Sequence, residues 1–237
     1  MNHKRLPSRR SGFTLVEVSI VLLIVGLMIG GLVAPLASQL EQRRVSDTRR
    51  VMDEAREALI GFALHNGYLP CPAISSSNGL EDRNGAVCNR RYGYLPWATL
   101  GVGKLDGWNR LMGYTVTPAF TNAGVLFTLA TPRDITIATR DVNGQLVAAT
   151  GVNDIPAAII SFGRNGYGAT SDQNTVIADV GIGNIDEKAN LQSGGNALVA
   201  RDASDDTRAP GGTFDDMVVW VSPNILYNRM VGAQRLP

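Results

Sequence analysis

The stretch Arg9-Arg10-Ser11-Gly12-Phe13-Thr14-Leu15-Val16-Glu17 decides the fold of the N-terminal part of this chain, because a short basic segment there meets a long apolar run. From Phe13 to Leu36 the 24 residues are almost all apolar or small. A helix of that length, at about 1.5 Å per residue, would cross a hydrocarbon core of about 30 Å. Residues 13–36 are therefore predicted to form a transmembrane helix.

Glu17 is the only charged residue in this run, and a carboxylate inside a membrane helix costs roughly 2.5–3.5 kcal/mol on insertion scales. If the chain is cut after Gly12, Phe13 gains an α-amino group, and Glu17 of one subunit would neutralise that amine on its neighbour. The alternative is an ordinary anchor helix in which Glu17 lies close enough to the interface for its carboxylate to reach water.

The string Gly12-Phe13-Thr14-Leu15-Val16-Glu17, with basic residues before it and an apolar helix after it, resembles the prepilin signal of type IV pilins and type II secretion pseudopilins. In that family a prepilin peptidase cuts between the residues matching Gly12 and Phe13 and methylates the new N-terminus. The glutamate matching Glu17 helps to register the subunit during assembly. The resemblance implies a cleavage site at Gly12 and Phe13, N-methylation of Phe13, and an assembly role for Phe13 and Glu17.

The same resemblance implies three partners: the prepilin peptidase, other pilin or pseudopilin subunits contacted through the N-terminal helix, and an inner-membrane assembly platform. Four basic residues lie in the leader, residues 1–12, so the positive-inside rule keeps the leader cytoplasmic and sends the rest across the bacterial inner membrane. A conventional secretory signal fits poorly, because its apolar region should precede the cut. The expected location is the inner membrane, with a periplasmic or extracellular domain, and later a pilus or pseudopilus.

Composition is typical of one exported domain behind this helix. The chain has 237 residues, of which 44% are hydrophobic, enough to bury a core. Without the four basic leader residues, 18 basic and 21 acidic residues remain, a formal charge of −3. That balance predicts no nucleic-acid partner.

Apolar residues continue beyond the membrane run at steps of three and four, with charged residues between them. The apolar positions are Leu40, Val45, Thr48, Val51, Met52, Ala55, Leu59, Phe62 and Ala63. Residues 37–66 are therefore predicted to form an amphipathic continuation of the helix, ending at Asn66-Gly67. Residues 67–237 are expected to form the globular domain.

Short apolar segments separated by turn residues predict strands in that domain. They are Leu111–Val116, Val125–Leu129, Ile135–Val142, Gln145–Ala149, Ala157–Phe162, Val176–Val180 and Met217–Val221. Asn143-Gly144 predicts a two-residue hairpin turn, and Ser222-Pro223 predicts the cap and first position of a final helix. The expected fold is α+β and pilin-like, with the long helix packed on an antiparallel sheet.

Cys71 and Cys88 are the only cysteines, and both fall in the exported part. An oxidising compartment and an even count favour a disulfide between them. The alternative is two unpaired thiols. Neither cysteine has a second Cys or His at the spacing of a metal site.

Two further segments resemble pseudopilin patterns. Asp106-Gly107-Trp108-Asn109, followed by Tyr114, is similar to a motif of major pseudopilins, and its simplest interpretation is a turn with Trp108 packed in the core. Gly163-Arg164-Asn165-Gly166 and residues 211–220 are together similar to the C-terminal pseudopilin pattern, whose loops bind calcium in several such proteins.

That resemblance implies a calcium site formed by carboxylates near the C-terminus, since calcium takes six to eight oxygen ligands. The candidate ligands are Asp205, Asp206, Asp215 and Asp216, with Asp202 also available. No EF-hand spacing is present, and the alternative is that these residues form turns and solvated charges.

Catalytic groups are scarce. The histidines are His3, in the leader, and His65, at the end of the helix, and no G-x-S-x-G elbow is present. Residues 101–105, Gly-Val-Gly-Lys-Leu, superficially resemble a phosphate loop, but leucine follows the lysine where Ser or Thr is needed. No enzymatic activity is expected.

Two function classes remain open. The first is a structural subunit of a pilus or pseudopilus; the Asp106/Trp108 and Asp215/Asp216 resemblances favour type II secretion, while the large domain and the disulfide also suit a minor type IV pilin. The second is a membrane-anchored binding or adhesion protein that does not polymerise.

Overall fold

A computed structural model describes residues 12–178, 183–191 and 196–236, with residues 30–35 described by their backbone alone. Residues 1–11 of the predicted leader lie outside the described residues. The helices are α1 (Leu15–Asn66), α2 (Trp97–Leu100), α3 (Ile185–Asn190) and α4 (Pro223–Gly232), with a 3-10 turn at Pro118–Phe120. The strands are β1 (Arg83–Asn84), β2 (Val87–Cys88), β3 (Tyr92–Tyr94), β4 (Gly113–Val116), β5 (Thr136–Arg140), β6 (Leu146–Ala148), β7 (Ala157–Ser161), β8 (Ala197–Val199) and β9 (Met217–Trp220).

The N-terminal helix followed by antiparallel sheets gives the α+β arrangement that the sequence predicts. The chain divides into two compact units, Met1–Arg43 and Arg44–Pro237. In the first unit, the apolar side chains of residues 13–29 are exposed. Among the residues that the structure describes, no helix combines the length and apolar character needed to cross a membrane.

Helix α1 ends where the sequence predicts. Gly67 has φ 85°, a left-handed conformation that glycine adopts without a Cβ penalty. Its N–H donates to the carbonyl of Ala63 at 2.7 Å, and the side chain of Asn66 donates to the carbonyl of Phe62 at 2.9 Å. These bonds satisfy carbonyls that the helix end would otherwise leave unpaired.

A four-stranded antiparallel sheet in the order β3-β4-β7-β9 forms the centre of the second unit. Every residue of β7 is buried, so both faces of this strand are covered. Its odd-numbered Ala157 and Ile159 face the cluster that includes α1, and its even-numbered Ala158 and Ile160 face a second cluster. Because side chains alternate along a strand, β7 separates two apolar cores.

The first core packs α1 and α4 on one face of the four-stranded sheet. Its buried members are Met52, Ala55, Leu59, Ile60, Ala63, Leu69, Leu95, Met112, Tyr114, Val116, Phe120, Phe127, Ala157, Ile159, Val221, Leu226, Met230 and Leu236. The predicted apolar stripe of residues 37–66 supplies four of these side chains, and Ile60, which lies outside the predicted stripe, adds a fifth from the last four turns of α1.

The second core lies between the four-stranded sheet and a three-stranded sheet in the order β6-β5-β8. Strands β5 and β6 are antiparallel, but β5 and β8 pair in parallel, with Ile137 opposite Leu198. This parallel pair departs from the wholly antiparallel sheet that we expected. It arises because the chain crosses through α3 before β8, and such a crossover brings strands together in the same direction.

Two predicted strands are absent from the described residues. Residues 125–129 form irregular chain in which Phe127 packs against Phe120, with ring centroids 4.7 Å apart, while Val125 stays exposed. Residues 176–178 make only an isolated bridge between Val176 and Thr170, and residues 179–180 lie outside the described part.

Two turn predictions also need correction. The β5–β6 hairpin exists, but its central residues are Val142 and Asn143, since Gly144 N–H donates to the Asp141 carbonyl at 2.9 Å and, of the three, Gly144 alone has positive φ. A type I turn followed by a left-handed glycine therefore replaces the predicted two-residue turn. Helix α4 begins at Pro223 as predicted, yet Ser222 makes no side-chain capping hydrogen bond.

The structure pairs Cys71 with Cys88 in a disulfide that closes the loop carrying β1. Inside this loop Glu81 accepts a hydrogen bond from the Cys71 N–H at 2.9 Å. Arg83 bonds Glu81 at 3.0 Å and donates to the carbonyl of Thr121 at 2.6 Å. The disulfide loop is thus tied to the segment that follows β4.

Reducing this disulfide is expected to lower the free energy of unfolding by about 3 kcal/mol, the chain-entropy value for a loop of roughly this size. Urea unfolding of the detergent-solubilised full chain, followed by tryptophan fluorescence with and without a thiol reductant, measures the loss. The double variant C71S/C88S provides a second measurement, although serine at position 71 also buries a hydroxyl. A change below about 1 kcal/mol on reduction would contradict the expectation.

Candidate functional site

The first residues of α1 form a capping box. Thr14 precedes the first helical residue, and its hydroxyl oxygen accepts a hydrogen bond from the Glu17 N–H at 3.2 Å. In return, Glu17 Oε2 accepts hydrogen bonds from the N–H and the hydroxyl of Thr14, both at 2.8 Å. This reciprocal arrangement satisfies N–H groups that a helix N-terminus leaves unpaired.

The capping box gives Glu17 a structural role within its own chain, in addition to the predicted contact with a neighbouring chain. The structure places Glu17 one helical turn from Phe13, and both side chains are exposed. Its carboxylate is already hydrogen-bonded within its own chain, so an amine on a neighbouring chain would meet a preoriented acceptor. The role of Thr14 was not predicted, although the spacing Thr-x-x-Glu before an apolar run is the known pattern of a capping box.

A second candidate site is a cluster of three carboxylates. Glu187 from α3 meets Asp215 and Asp216, which precede β9, with ligand oxygens all within 4.8 Å of one another. Asn165 links two of them, because its side chain donates to Glu187 at 2.7 Å and its N–H donates to Asp215 at 2.9 Å. Asn190 donates to the buried Asp216 at 2.8 Å.

Burial raises the pKa of all three carboxyls. The pKa of Asp215 rises from 3.8 to about 6, mainly because burial penalises its charged form and further because Glu187 is close. Burial raises the pKa of Asp216 well above its ordinary value, and also raises that of Glu187. Among the described residues, Asp215 Oδ1 is buried and has no hydrogen-bond partner. The cluster therefore offers closely spaced oxygens of the kind that calcium binds.

The structure brings together only two of the four predicted calcium ligands, Asp215 and Asp216. Asp205 forms an ion pair with Arg164 at 2.5 Å in an exposed loop, and Asp206 accepts a hydrogen bond from the Arg208 N–H at 2.9 Å. Both of these aspartates are exposed. Glu187, which sequence analysis did not consider, lies in α3 and gave no local signal, since only the fold carries it to Asp215.

The raised pKa values predict a pH dependence without calcium. A carboxyl whose pKa is raised by folding contributes stability below its ordinary value, 3.8 for Asp215, and loses it as pH rises through about 6. A shift of this size corresponds to about 3 kcal/mol, reduced to about 1–2 kcal/mol by solvent screening of this partly exposed group. Urea unfolding at several pH values measures this loss. The D215N variant should have a flatter profile between pH 4 and 6, and an unchanged profile would contradict the expectation.

Asp106, in the predicted pseudopilin-like motif, ties α1 to the four-stranded sheet. Its buried carboxylate accepts hydrogen bonds from the N–H groups of Trp108 at 2.9 Å and Arg110 at 3.0 Å, and from the Ser161 hydroxyl at 2.7 Å. The adjacent Gly107 donates to the hydroxyl of Thr48 on α1 at 2.9 Å. The predicted turn is present, but Trp108 is half-buried rather than packed in the core, and Asp106 is the buried residue.

His65 is exposed in the last turn of α1. Lys104, in the segment that resembled a phosphate loop, forms an ion pair with Asp172 at 2.6 Å.

Residues 7–33 match the sequence model of the prokaryotic N-terminal methylation motif, which is the type IV pilin and pseudopilin signal. No curated protein and no solved structure matches the chain. The matched segment contains Gly12, Phe13, Thr14 and Glu17, and it supports a type IV pilin-like or pseudopilin protein, which points to a structural subunit. The resemblance found in the sequence is confirmed.

Proposed function

We propose that this protein is a pilin-like structural subunit, cut by a prepilin peptidase between Gly12 and Phe13 and methylated on Phe13. It is then assembled into a type IV pilus or a type II secretion pseudopilus. The observation that carries the proposal is the methylation motif at residues 7–33. The subunit itself catalyses no reaction.

In this proposal residues 13–36 insert in the inner membrane, residues 1–12 lie in the cytoplasm before cleavage, and the domain lies in the periplasm. Two observations support it. Glu17 is the only charged residue of the segment. The large apolar side chains of residues 13–29 are exposed, with Phe13, Leu15, Leu22, Leu27 and Met28 at 63% or more. A continuous apolar surface of this extent needs lipid or other subunits to cover it. The partners are the peptidase, the inner-membrane assembly platform and other subunits bound through this helix.

The N-terminus of the mature chain tests the proposal. The full chain is produced with and without a prepilin peptidase, extracted from membranes, and analysed by intact mass and N-terminal sequencing. We expect a chain that begins at methylated Phe13 only when the peptidase is present. A matched control replaces Gly12 by valine, which should block cleavage because the branched side chain obstructs the scissile bond. A chain that still begins at Met1 beside an active peptidase would overturn the proposal.

We also propose that the carboxylate cluster of Glu187, Asp215 and Asp216 binds calcium and stabilises the loop before β9. Three oxygens within 4.8 Å and the unpartnered Asp215 Oδ1 support this. Calcium should raise the melting temperature of the full chain at pH 7, because a ligand that binds only the folded state stabilises it. The rise should disappear in D215N and persist in D205N, whose exposed aspartate lies outside the cluster. An equal rise in both variants would exclude this site.

A further inference from the structure

A groove of about 730 Å³ opens beside the disulfide. Three of the large apolar side chains that line it, Val87, Val125 and Leu126, are 51%, 71% and 49% exposed. These side chains lie together on one face of the second unit, and a grouped apolar surface is typical of an interaction site, unlike apolar residues scattered singly.

Of the two arginines that line this groove, only Arg91 has an acceptor within the described chain. Arg90 is exposed and, among the residues that the structure describes, makes no ion pair or hydrogen bond through its side chain. Arg91 directs both terminal nitrogens to Asp134, at 2.8 and 2.9 Å, while its buried Nε has no partner within the described chain. The groove therefore fits an apolar side chain that stands beside a negative charge.

The tip of the β5–β6 hairpin has this chemistry. Val142 is fully exposed, at 101% of its reference area. The preceding Asp141 carboxylate uses one oxygen, Oδ1, to accept hydrogen bonds from the N–H groups of Asn143 at 2.9 Å and Gln145 at 2.8 Å. These bonds fix the turn, and the carboxylate keeps its negative charge beside the exposed valine.

The tip and the groove lie at opposite ends of β5. Asp134, which pairs with the groove residue Arg91, comes just before Thr136–Arg140, and Asp141 comes just after that strand. At about 3.3 Å per residue the two are roughly 20 Å apart. The chain therefore cannot place its own tip in its own groove. A second copy can, and because the two surfaces differ, such a contact repeats from copy to copy and builds either a closed ring or an open series.

We propose that the Asp141–Val142 tip of one copy docks in the Val87, Val125 and Leu126 groove of the next copy, with the Asp141 carboxylate against Arg90. This contact is made by the second unit, whereas the proposed function rests on the N-terminal helix. It depends on the proposed function in one respect only, because assembly would bring neighbouring copies into alignment.

Cysteine cross-linking of the full chain in membranes tests the docking. One copy carries V142C, a co-expressed copy carries V125C, and a short bismaleimide joins them; Cys71 and Cys88 are already paired and do not react. We expect an adduct between the two copies. The matched control is V152C, a valine with 73% exposure in the loop between β6 and β7, which should give at least about tenfold less adduct with V125C, as expected for a position outside a specific contact.

Neutral substitutions test the charge pair. D141N keeps an oxygen for the turn and removes the charge, and R90Q removes the positive partner. Each should lower the adduct yield about fivefold, and the double variant should be no worse than either single variant, because paired residues are not additive.

The adduct yield tests only the docking proposal. The intact mass and N-terminal sequence of the chain test the proposed function. If V142C and V152C give equal adduct with V125C while Phe13 is cut and methylated, the docking is wrong and the proposed function stands. If the V142C adduct forms preferentially while Phe13 remains uncut beside an active prepilin peptidase, the docking holds and the proposed function fails.

Discussion

Replacing Glu17 with alanine is expected to abolish incorporation of this protein into a filament while leaving membrane insertion intact. Alanine removes a carboxylate whose burial costs roughly 2.5–3.5 kcal/mol on insertion scales, so insertion should be no worse. It also removes the only acid in residues 13–36 that could meet the Phe13 amine of a neighbour. Filament incorporation is measured by shearing and sedimentation, and insertion by carbonate extraction of membranes.

The capping box supplies matched controls for this experiment. E17Q can still bond the Thr14 N–H but carries no charge, since glutamine serves in a capping box as glutamate does. T14A removes the cap, at about 1 kcal/mol of helix stability, and keeps the charge. If charge pairing drives assembly, E17Q should fail and T14A should assemble. Normal incorporation of E17A would instead favour a membrane-anchored binding protein that does not polymerise.

Replacing Asp186 with alanine is expected to destabilise the second unit by about 3–5 kcal/mol, the cost of breaking a buried ion pair by removing one partner. Asp186 is 1% exposed and binds two arginines that are themselves largely buried. Arg140 donates to it at 2.6 and 2.7 Å, and Arg201 at 2.8 Å. Its hydrogen bonds also raise the pKa of Arg140. Without Asp186, two guanidinium charges would remain buried and unneutralised.

Urea unfolding of the detergent-solubilised full chain measures this loss. D206A is the matched control, because Asp206 pairs with Arg208 at 3.6 Å and both side chains are exposed. An exposed pair of this kind contributes about 0–1 kcal/mol, so D206A should unfold almost as the unchanged chain does. Equal stability of D186A and D206A would show that the ion pairs of Asp186 with Arg140 and Arg201 do not stabilise the packing of α3 against β5.

The elements with long or fully buried apolar patterns could be predicted from the sequence. Helix α1 has a periodic apolar stripe and a glycine stop, and β7 and β9 are runs of apolar residues. Strands β1, β2, β3 and β8 were missed because two or three residues are too few to show an alternation. Their pairing is decided by neighbours distant in sequence, as in Tyr92 opposite Thr115.

Residues 125–129 do not form the predicted strand, and the structure gives the physical reason. Its apolar residues do not share one role: Phe127 is buried in the first core, whereas Val125 and Leu126 line the groove. Asn122 accepts hydrogen bonds from the N–H groups of Gly124 and Val125, at 2.8 and 3.0 Å. Those bonds bend the chain and occupy N–H groups that a strand would need for a partner.

The two candidate sites differ in how far apart their residues lie in the sequence. The residues from Gly12 to Glu17 are adjacent in sequence, so a local motif contains the whole site. The carboxylate cluster joins residues 28 positions apart, Glu187 and Asp215. Asp215 and Asp216 were predictable only as two acids among several, and Glu187 was not predicted at all. A site assembled by tertiary contacts leaves no spacing to recognise in a single sequence.

The strand order has a consequence for how the chain matures as it is made. The central sheet needs β9, and the first core needs Leu226 and Met230 from α4, so neither can be completed until the last segment is synthesised. Cys88 precedes β9 by roughly 130 residues, or on the order of 10 s of synthesis. The disulfide loop, whose ends are 17 residues apart, is short enough for its two cysteines to meet in that interval. A covalent link can therefore form before the hydrophobic core is complete, and the unfinished chain holds its apolar strands uncovered until β9 and α4 are made.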